Sequence, residues 1–175
     1  MELQQTMMRD HTGREGLLDL IKELKDKGSM VEIGTFTGES TVIFGDHFEK
    51  VIGIDPMLED YDQQDPTSKF NFNQVLDMFN NRTKEYNNIS LIKKTSDDAV
   101  KELDSETYDF VYIDGMHQYE NVKQDIINYL PKIKQGGVIG GHDYGPTWPG
   151  IKQAVDEMFG KPDKIFKDTS WIKFL

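Results

Sequence analysis

Residues 31–41 read VEIGTFTGEST, and this stretch decides the fold. An apolar, partly β-branched run ends at Gly34, and a second glycine, Gly38, opens a segment typical of a helix. A strand that turns through glycines into a helix presents free backbone N–H groups to a ligand. The stretch therefore predicts the first strand–helix unit of an α/β fold, with a ligand at the turn.

Short β-branched runs alternate with longer amphipathic runs along the rest of the chain, which is typical of a parallel sheet covered by helices. We predict strands at 30–33, 51–54, 89–93, 110–113 and 138–141. We predict helices at 14–27, 39–46, 69–86, 97–103, 120–133 and 151–159. Residues 164–167 and 170–174 predict a terminal hairpin at the edge of the sheet. The predicted fold class is therefore α/β: a Rossmann-like, doubly wound sheet of seven strands, mostly parallel, with helices on both faces.

Length and composition predict a single domain over residues 1–175. The hydrophobic content of 37% is too high for a disordered chain. The net charge of −11 disfavours nucleic acid and anionic membranes as partners, because both attract basic surfaces. The chain has no cysteine, which excludes disulfides, thiolate metal sites and a cysteine nucleophile. We expect a flexible arm over residues 1–12 and, without an apolar leader or span, a cytoplasmic location.

The glycine turn favours a nucleoside over a dinucleotide as its ligand. The G-x-x-x-G spacing at 34–38 lacks the third glycine of the dinucleotide fingerprint. Asp55 ends the next strand about 20 residues on, where an acid bonds ribose hydroxyls in nucleotide-binding folds. Ser96 and Asp97 follow the third strand, where they would meet an adenine edge or, alternatively, cap the next helix. Glu32 is expected to face a cation or an amino group, because a buried acid needs a partner.

Two later strand ends gather acidic and imidazole side chains. Asp114 and His117 follow one predicted strand, and His142 and Asp143 follow the next. Carboxylate oxygens suit a hard ion such as Mg²⁺ or Mn²⁺, and an imidazole ligand shifts the preference toward Mn²⁺, Fe²⁺ or Co²⁺. Histidine has the natural pKa for accepting a proton near neutrality. Residues 55–68, which are polar and contain two prolines, predict a surface loop near this ligand site.

In this order and spacing, these residues resemble the class I S-adenosylmethionine-dependent methyltransferases. The run EIGTFTGES at 32–40 is similar to the first motif of the O-methyltransferases related to catechol O-methyltransferase. The runs IDGMHQYE at 113–120, GGV at 136–138 and HDY at 142–144 resemble a small bacterial group that includes metal-dependent sugar O-methyltransferases. The resemblance covers residues 13–175 and includes the terminal hairpin.

The resemblance implies a role for each of these residues. Those expected near the cofactor S-adenosylmethionine are Glu32, Gly34, Thr35, Phe36, Gly38, Ser40, Asp55, Ser96, Asp97 and Asp114. Those expected to bind a divalent metal are Asp114, His142 and Asp143, although the sugar enzymes have a carboxylate where this chain has His142. His117 would be the general base and Asp114 its catalytic neighbour.

The implied reaction is methyl transfer to a hydroxyl of a small molecule or sugar, by a monomer or homodimer. Two other functions share the same layout of strands, glycines and acids. One is a nucleoside-binding protein of this fold without transferase activity. The other is an NAD-dependent oxidoreductase, which the missing glycine and the terminal hairpin disfavour.

Overall fold

The structure, a computed structural model, describes residues 11–175 and forms seven strands and six α-helices within that range. The strands are β1 (Ser29–Ile33), β2 (Lys50–Ile54), β3 (Ile89–Ile92), β4 (Tyr108–Ile113), β5 (Ile133–Gly141), β6 (Lys164–Ile165) and β7 (Trp171–Phe174). The helices are α1 (His11–Glu23), α2 (Glu39–Gly45), α3 (Phe72–Thr83), α4 (Ser96–Ala99), α5 (Tyr119–Tyr129) and α6 (Pro149–Phe159). Three short 3₁₀ turns at 66–69, 100–102 and 130–132 connect them.

All seven strands belong to one sheet in the order β3-β2-β1-β4-β5-β7-β6. The first five strands pair in parallel, and β7 inserts antiparallel between β5 and β6. The predicted fold class is therefore confirmed. The chain order reverses between β1 and β4, and ligands of such sheets bind at the carboxyl ends of the strands beside this point.

The strand register brings the predicted site residues to one level of the sheet. Ile33 at the end of β1 pairs with Ile54 on one side and with Ile113 on the other. The residues that follow these three positions are Gly34, Asp55 and Asp114. Side-by-side strand ends thus gather groups that are far apart in the chain.

Both faces of the sheet are buried, as in other parallel sheets covered by helices. On β4, Val111 and Ile113 pack into a core cluster with residues of α5 and α6. The alternate residues Phe110 and Tyr112 pack into a second cluster with residues of α1 and α2. The continuous apolar run of this strand therefore reflects two cores rather than one.

Helix boundaries differ from the prediction where local chemistry ends a helix early. α5 ends at Tyr129 rather than at residue 133, because Pro131 lacks an N–H and the chain continues as a 3₁₀ turn. α3 begins at Phe72 rather than at residue 69, because the Asn71 side chain caps it by accepting from the N–H groups of residues 73 and 74. α1 ends at Glu23, four residues early, and the predicted helix 97–103 divides into α4 and a 3₁₀ turn.

The strand boundaries show two further corrections. β5 begins at Ile133, five residues earlier than predicted, and its register with β4 shifts between Ile133 and Val138, the stretch that contains the glycines at 136 and 137. β6 contains only two residues instead of four. Of the predicted N-terminal arm, residues 1–10 lie outside the described residues, and His11 and Thr12 belong to α1. Within residues 11–175, none of the helices combines the length and the apolar content that a bilayer crossing needs.

Candidate active site

The turn after β1 is fixed by the two neighbouring strands. The N–H of Gly34 donates to the carbonyl of Ile54 at 2.8 Å, and the N–H of Asp114 donates to the carbonyl of Ile33 at 2.8 Å. Gly34 has a φ of 85°, and a Cβ built on it would lie 2.0 Å from the carbonyl oxygen of Asp114. Only glycine fits here, because the backbone is left-handed and also touches β4.

Asp55 fastens this turn to the following loop. Its Oδ2 accepts from the N–H of Phe36 at 2.9 Å, and its Oδ1 accepts from the N–H of Met57 at 2.8 Å. Burial raises the pKa of Asp55, and these backbone bonds oppose that rise. Phe36 has a φ of 46°, a backbone conformation that residues other than glycine rarely adopt. The hydrogen bond from its N–H to the Asp55 carboxylate stabilises this conformation.

A cavity of about 260 Å³, which we call the first cavity, opens between the turn and α5. Six of the predicted cofactor residues line it: Gly34, Phe36, Asp55, Ser96, Asp97 and Asp114. Residues that were not assigned to the cofactor also line it, among them Tyr61, Phe72, Asn121 and Asp125. Among the described residues that line the first cavity, none is basic.

A cavity of about 390 Å³, which we call the second cavity, lies on the other side of the turn. The predicted residues that line it are Gly34, Thr35, Phe36, Ser40, Asp114, His117 and His142. The two cavities share a wall, which is formed by Gly34, Phe36, Asp114 and Gly115. An occupant of one cavity would therefore lie next to an occupant of the other.

Glu32 and Gly38 line neither cavity. Glu32 is fully buried, and it accepts hydrogen bonds from the hydroxyls of Ser40 and Thr41, the latter at 2.6 Å. Its partners among the described residues are thus hydroxyls, and burial raises its pKa to about 8. Gly38 has a φ of 82°, and a Cβ on it would lie 2.9 Å from the ring of Phe79 in α3.

Asp114, His117 and Asp143 converge beside the second cavity, which Asp114 and His117 line and Asp143 does not. One ligand atom from each lies within 4.8 Å of the other two, which is compatible with a shared metal ion. His142, predicted as a ligand, lies outside this group of three but close to both acids. Its Nδ1 is 3.3 Å from Oδ1 of Asp143 and 3.8 Å from Oδ1 of Asp114.

Residues 31–144 match the model of a protein family that is described as a methyltransferase domain. The chain belongs to this family. Membership of this methyltransferase-domain family agrees with the resemblance in its motifs. The match covers both glycines of the turn and all four acidic and imidazole residues of the strand ends.

Two curated relatives match the chain over part of their own length. An uncharacterized protein of Acanthamoeba polyphaga mimivirus is 33% identical over 145 residues, which cover 77% of this chain and 60% of that protein. The uncharacterized protein y4gI of Sinorhizobium fredii is 27% identical over 121 residues, which cover 65% of this chain and 13% of that protein. The chain thus spans less than two thirds of the length of either relative.

Several solved structures share the fold of this methyltransferase. The O-methyltransferase NovP superposes with a TM-score of 0.65 at 21% identity, over 92% of this chain and 76% of NovP. The N-methyltransferase NodS of Bradyrhizobium japonicum gives a TM-score of 0.64 at 15% identity, over 95% and 96% of the two chains. A TDP-rhamnose 3'-O-methyltransferase gives 0.64 at 15% identity, over 94% and 80%. At such identities the likeness shows the fold alone.

The site of the methyltransferase stabilises its acids and imidazoles as ion pairs. Burial opposes the charge of His142, but the carboxylates of Asp114 and Asp143 outweigh it and raise the pKa of His142 to about 10. Burial likewise opposes the charge of His117, whose pKa is nevertheless raised by Asp143 and Asp114. Burial raises the pKa of Asp114, whereas the two imidazoles hold that of Asp143 well below its usual range despite burial. A divalent cation would compete with these protons, because metal ligands must be deprotonated.

His117 is enclosed on three sides. Its ring stacks on Trp148 with 4.1 Å between ring centroids and 12° between planes. Its Nε2 lies 3.3 Å from Oδ2 of Asp143, and its Nδ1 faces Asp62 and Asp65. These two acids are buried, so the polar loop predicted to lie on the surface instead turns part of its length inward.

Asp125 is a further site residue that the sequence prediction missed. It is buried on α5 and lines the first cavity, and burial raises its pKa to about 7. Val122, Ile126 and Tyr129 are buried on the same helix. Asp125 lies three residues after Val122 and four before Tyr129, on the apolar face of the helix. This spacing in the sequence could have indicated that the acid is buried.

Proposed function

We propose that the protein transfers a methyl group from S-adenosylmethionine to a hydroxyl oxygen of a small molecule or sugar. One observation carries this proposal. The first cavity adjoins the second through a shared wall that includes Gly34 and Asp114, and Asp114, His117 and His142 of the acid and imidazole cluster line the second. A nucleoside-based methyl donor and an oriented acceptor would therefore meet at this wall.

The residues of the first cavity fit S-adenosylmethionine better than a dinucleotide. Asp55, Ser96 and Asp97 line it and offer oxygen acceptors to ribose hydroxyls and an adenine amino group. Its described lining contains acids and no basic side chain, so a pyrophosphate would find no cationic partner there. The cationic sulfonium of S-adenosylmethionine suits the same acidic surroundings.

The donor set beside the second cavity suits a divalent metal such as Mg²⁺ or Mn²⁺. We assign Asp114, His142 and Asp143 as its ligands, since the two carboxylates suit either ion and the imidazole shifts the preference toward Mn²⁺. A bound ion would lower the pKa of an acceptor hydroxyl and orient it.

We assign His117 as the base that takes the acceptor proton. Its ring lines the second cavity, and its Nδ1 faces the carboxylates of Asp62 and Asp65, which would stabilise the imidazolium that forms. The acceptor oxygen forms a bond to the methyl carbon while the carbon–sulfur bond breaks, so the sulfur leaves as a neutral thioether. The protein contributes mainly proximity and alignment.

Calorimetry tests the cofactor assignment. We expect S-adenosylhomocysteine to bind and NAD not to bind under the same conditions. Asp55→Asn should weaken the binding of S-adenosylhomocysteine, whereas Asp104→Asn, an exposed acid at the opposite end of β4, should leave it unchanged. Preferential binding of NAD would instead support the oxidoreductase.

Methyl transfer to a panel of sugars, phenols and small alcohols, with labelled S-adenosylmethionine, tests the activity. Asp114→Ala should abolish transfer, and retained transfer would contradict the assignment of metal and base. Titration with Mn²⁺ should show weaker binding for His142→Ala than for His117→Ala, and the reverse order would exchange the two roles. Stabilisation by S-adenosylhomocysteine with no response to divalent ions would favour the non-catalytic nucleoside-binding protein.

A further inference from the structure

Asp125 is a buried carboxyl group without a part in the proposed methyl transfer. The residue is 4% exposed, lies on α5 and lines the first cavity. Burial raises its pKa to about 7, and a hydrogen bond with the side chain of Ser96 opposes that rise. Because a carboxylate accepts about four hydrogen bonds, Asp125 retains the capacity to accept others from an occupant of the cavity.

Asn121 lies one helical turn before Asp125 and lines the same cavity. Residues four apart occupy one face of a helix, so an amide that donates and a carboxyl that accepts stand side by side. We propose that this pair recognises the edge of adenine: the Asp125 carboxyl accepts from the N6 amino group, and the Asn121 amide donates to N1. The inference rests on the proposed function, and it adds to the cofactor site two residues that determine which base is bound.

The other acids of the first cavity are less suited to this role. Both oxygens of Asp55 already accept from backbone N–H groups, and Asp114 lies in the wall shared with the second cavity. Asp97 is exposed, and its Oδ1 accepts from the side-chain amide of Asn128 at 2.8 Å. A buried group discriminates between donors and acceptors more strongly than an exposed one, because water cannot replace a missing partner. Asp125 is therefore the acid that best distinguishes an amino group from a carbonyl.

Contacts between α5 and the turn after β3 hold the carboxyl in place. The hydroxyl of Tyr129 donates to the carbonyl of Ser96 at 2.8 Å, which fastens the helix to this turn. Val122 and Ile126, which flank Asp125 on α5, are buried in the core. The carboxyl is thus fixed before a ligand enters, and such preorganisation favours tight and selective binding.

The first cavity also offers apolar surface to the faces of a flat base. Leu58 lines it with 56% of its surface exposed, and Ile54 and Met116 line it as well. A base that packs against these side chains removes their apolar surface from water. An apolar lining with a few convergent polar groups is the common composition of a small-molecule site.

Calorimetry with two ligands that differ only at this edge tests the inference. S-adenosylhomocysteine has the N6 amino group, whereas S-inosylhomocysteine has a carbonyl oxygen at position 6 and a proton on N1. The wild type should bind the first at least about 100-fold more tightly, because the second turns an oxygen toward the carboxyl of Asp125 and an N–H toward the amide of Asn121. Equal affinities in the wild type would overturn the inference.

Two substitutions should each reduce this preference to less than about 10-fold. In Asp125→Asn, the new amide can donate to the oxygen at position 6. In Asn121→Asp, the new carboxyl accepts the N1 proton of S-inosylhomocysteine and repels the lone pair on N1 of adenine. A merely structural role would weaken the binding of both ligands alike and leave the ratio of their affinities unchanged. Asn121→Asp decides the question if Asp125→Asn does not fold.

Glu120→Gln is the matched control, because Glu120 is an exposed acid in the first turn of the same helix. It should keep the wild-type preference, and the thermal midpoint of every variant shows whether the fold is retained. An unchanged preference in the folded variants of Asp125 and Asn121 would overturn the inference. A preference that is lost in Asp97→Asn but kept in Asp125→Asn would also overturn it.

The failure of this inference is distinguishable from the failure of the proposed function. If S-adenosylhomocysteine binds with the same preference in the wild type and in both variants, the inference fails and the proposed function stands. If the preference responds as expected but no acceptor is methylated, the recognition of adenine stands and the proposed methyl transfer fails. Absence of binding for both ligands would overturn the cofactor assignment and this inference together.

Discussion

Gly34 lies where the backbone of the turn touches β4, and this contact can be tested at the scale of one residue. In Gly34→Ala the new Cβ would meet the carbonyl oxygen of Asp114 at 2.0 Å, in addition to the cost of the left-handed backbone. We expect a loss of more than about 3 kcal/mol in the free energy of unfolding, measured by urea denaturation.

Gly136→Ala provides the matched control for this prediction. Gly136 has a φ of 78°, close to that of Gly34, but a Cβ on it would meet no atom within 4 Å. The control should therefore lose only about 1 kcal/mol, the cost of the backbone conformation. Equal losses in the two variants would mean that β4 does not press on the turn.

Glu32 makes the stability of the protein depend on pH. Burial raises its pKa to about 8 from an ordinary 4.5, so the folded protein holds this proton more tightly than the unfolded chain. Its contribution to stability is therefore fully present below about pH 4.5 and lost as the pH rises to about 8. Across this window the stability of the wild type should fall relative to Glu32→Gln, by up to about 1.4 kcal/mol per pH unit.

Urea denaturation at several pH values measures this difference. Glu59→Gln removes a charge at an exposed position and controls for the loss of a carboxylate in general. A constant difference between wild type and Glu32→Gln from about pH 5 to about pH 8 would show that Glu32 stays charged within its two hydroxyl contacts.

The residues of the site differ in how far sequence alone could place them. Asp55, Asp114, His142 and Asp143 each follow a strand, and parallel strands end at one edge, so their approach was predictable. The approach of Asp62 to His117 was not predictable, because it depends on the path of a loop whose sequence has no periodic pattern. His142 is an intermediate case. It lies beside Asp114 and Asp143, as predicted, but the compact group that could share a metal ion contains His117 instead of His142.

At the scale of elements, the terminal hairpin contributes core as well as an edge. Ile172 on β7 is fully buried and packs into the cluster that includes Phe110 and Tyr112, whereas Ile165 on β6 is 55% exposed. Ile172→Ala should therefore cost about 2–5 kcal/mol in the free energy of unfolding. The matched substitution Ile165→Ala should cost less than about 0.5 kcal/mol, and similar costs would contradict the inward orientation of β7.

The hairpin also illustrates which aspects of an element sequence patterns predict. The apolar runs and the tight turn predicted two antiparallel strands, and the structure has both. The prediction made both strands too long. A strand extends only as far as its backbone pairs with a neighbour, and β6, at the edge of the sheet, pairs only with β7 among the described strands. In the same way, Pro131 and the cap at Asn71 decided helix ends that the apolar spacing alone placed too far out.

At the scale of the whole molecule, the excess of acids over bases should make stability sensitive to salt. The net charge of −11 gives a repulsion among surface acids that ions screen over about 10 Å at 0.1 M. Exposed ion pairs such as Lys22–Asp19 are worth only about 0–1 kcal/mol each, so their screening should not outweigh this effect. The thermal midpoint should rise as sodium chloride increases from about 0.02 to about 0.3 M.

Potassium chloride should give the same rise, because screening does not depend on the identity of the ion. A midpoint that falls with either salt would mean that attraction between opposite charges dominates.

The order of the strands, in contrast to the charge, could not be predicted from local patterns. Insertion of β7 between β5 and β6 is decided by long-range packing, in which Trp171 and Ile172 are buried against both faces of the sheet.

The position of β7 has a consequence for the synthesis of the protein. Its partner in the parallel part of the sheet, β5, is translated some thirty residues earlier. Until residues 171–174 leave the ribosome, β5 is an open edge with unpaired N–H and C=O groups, and such edges recruit other chains. The nascent protein therefore passes through an interval in which holdase chaperones have a strand to protect, and this interval ends when β7 pairs with β5.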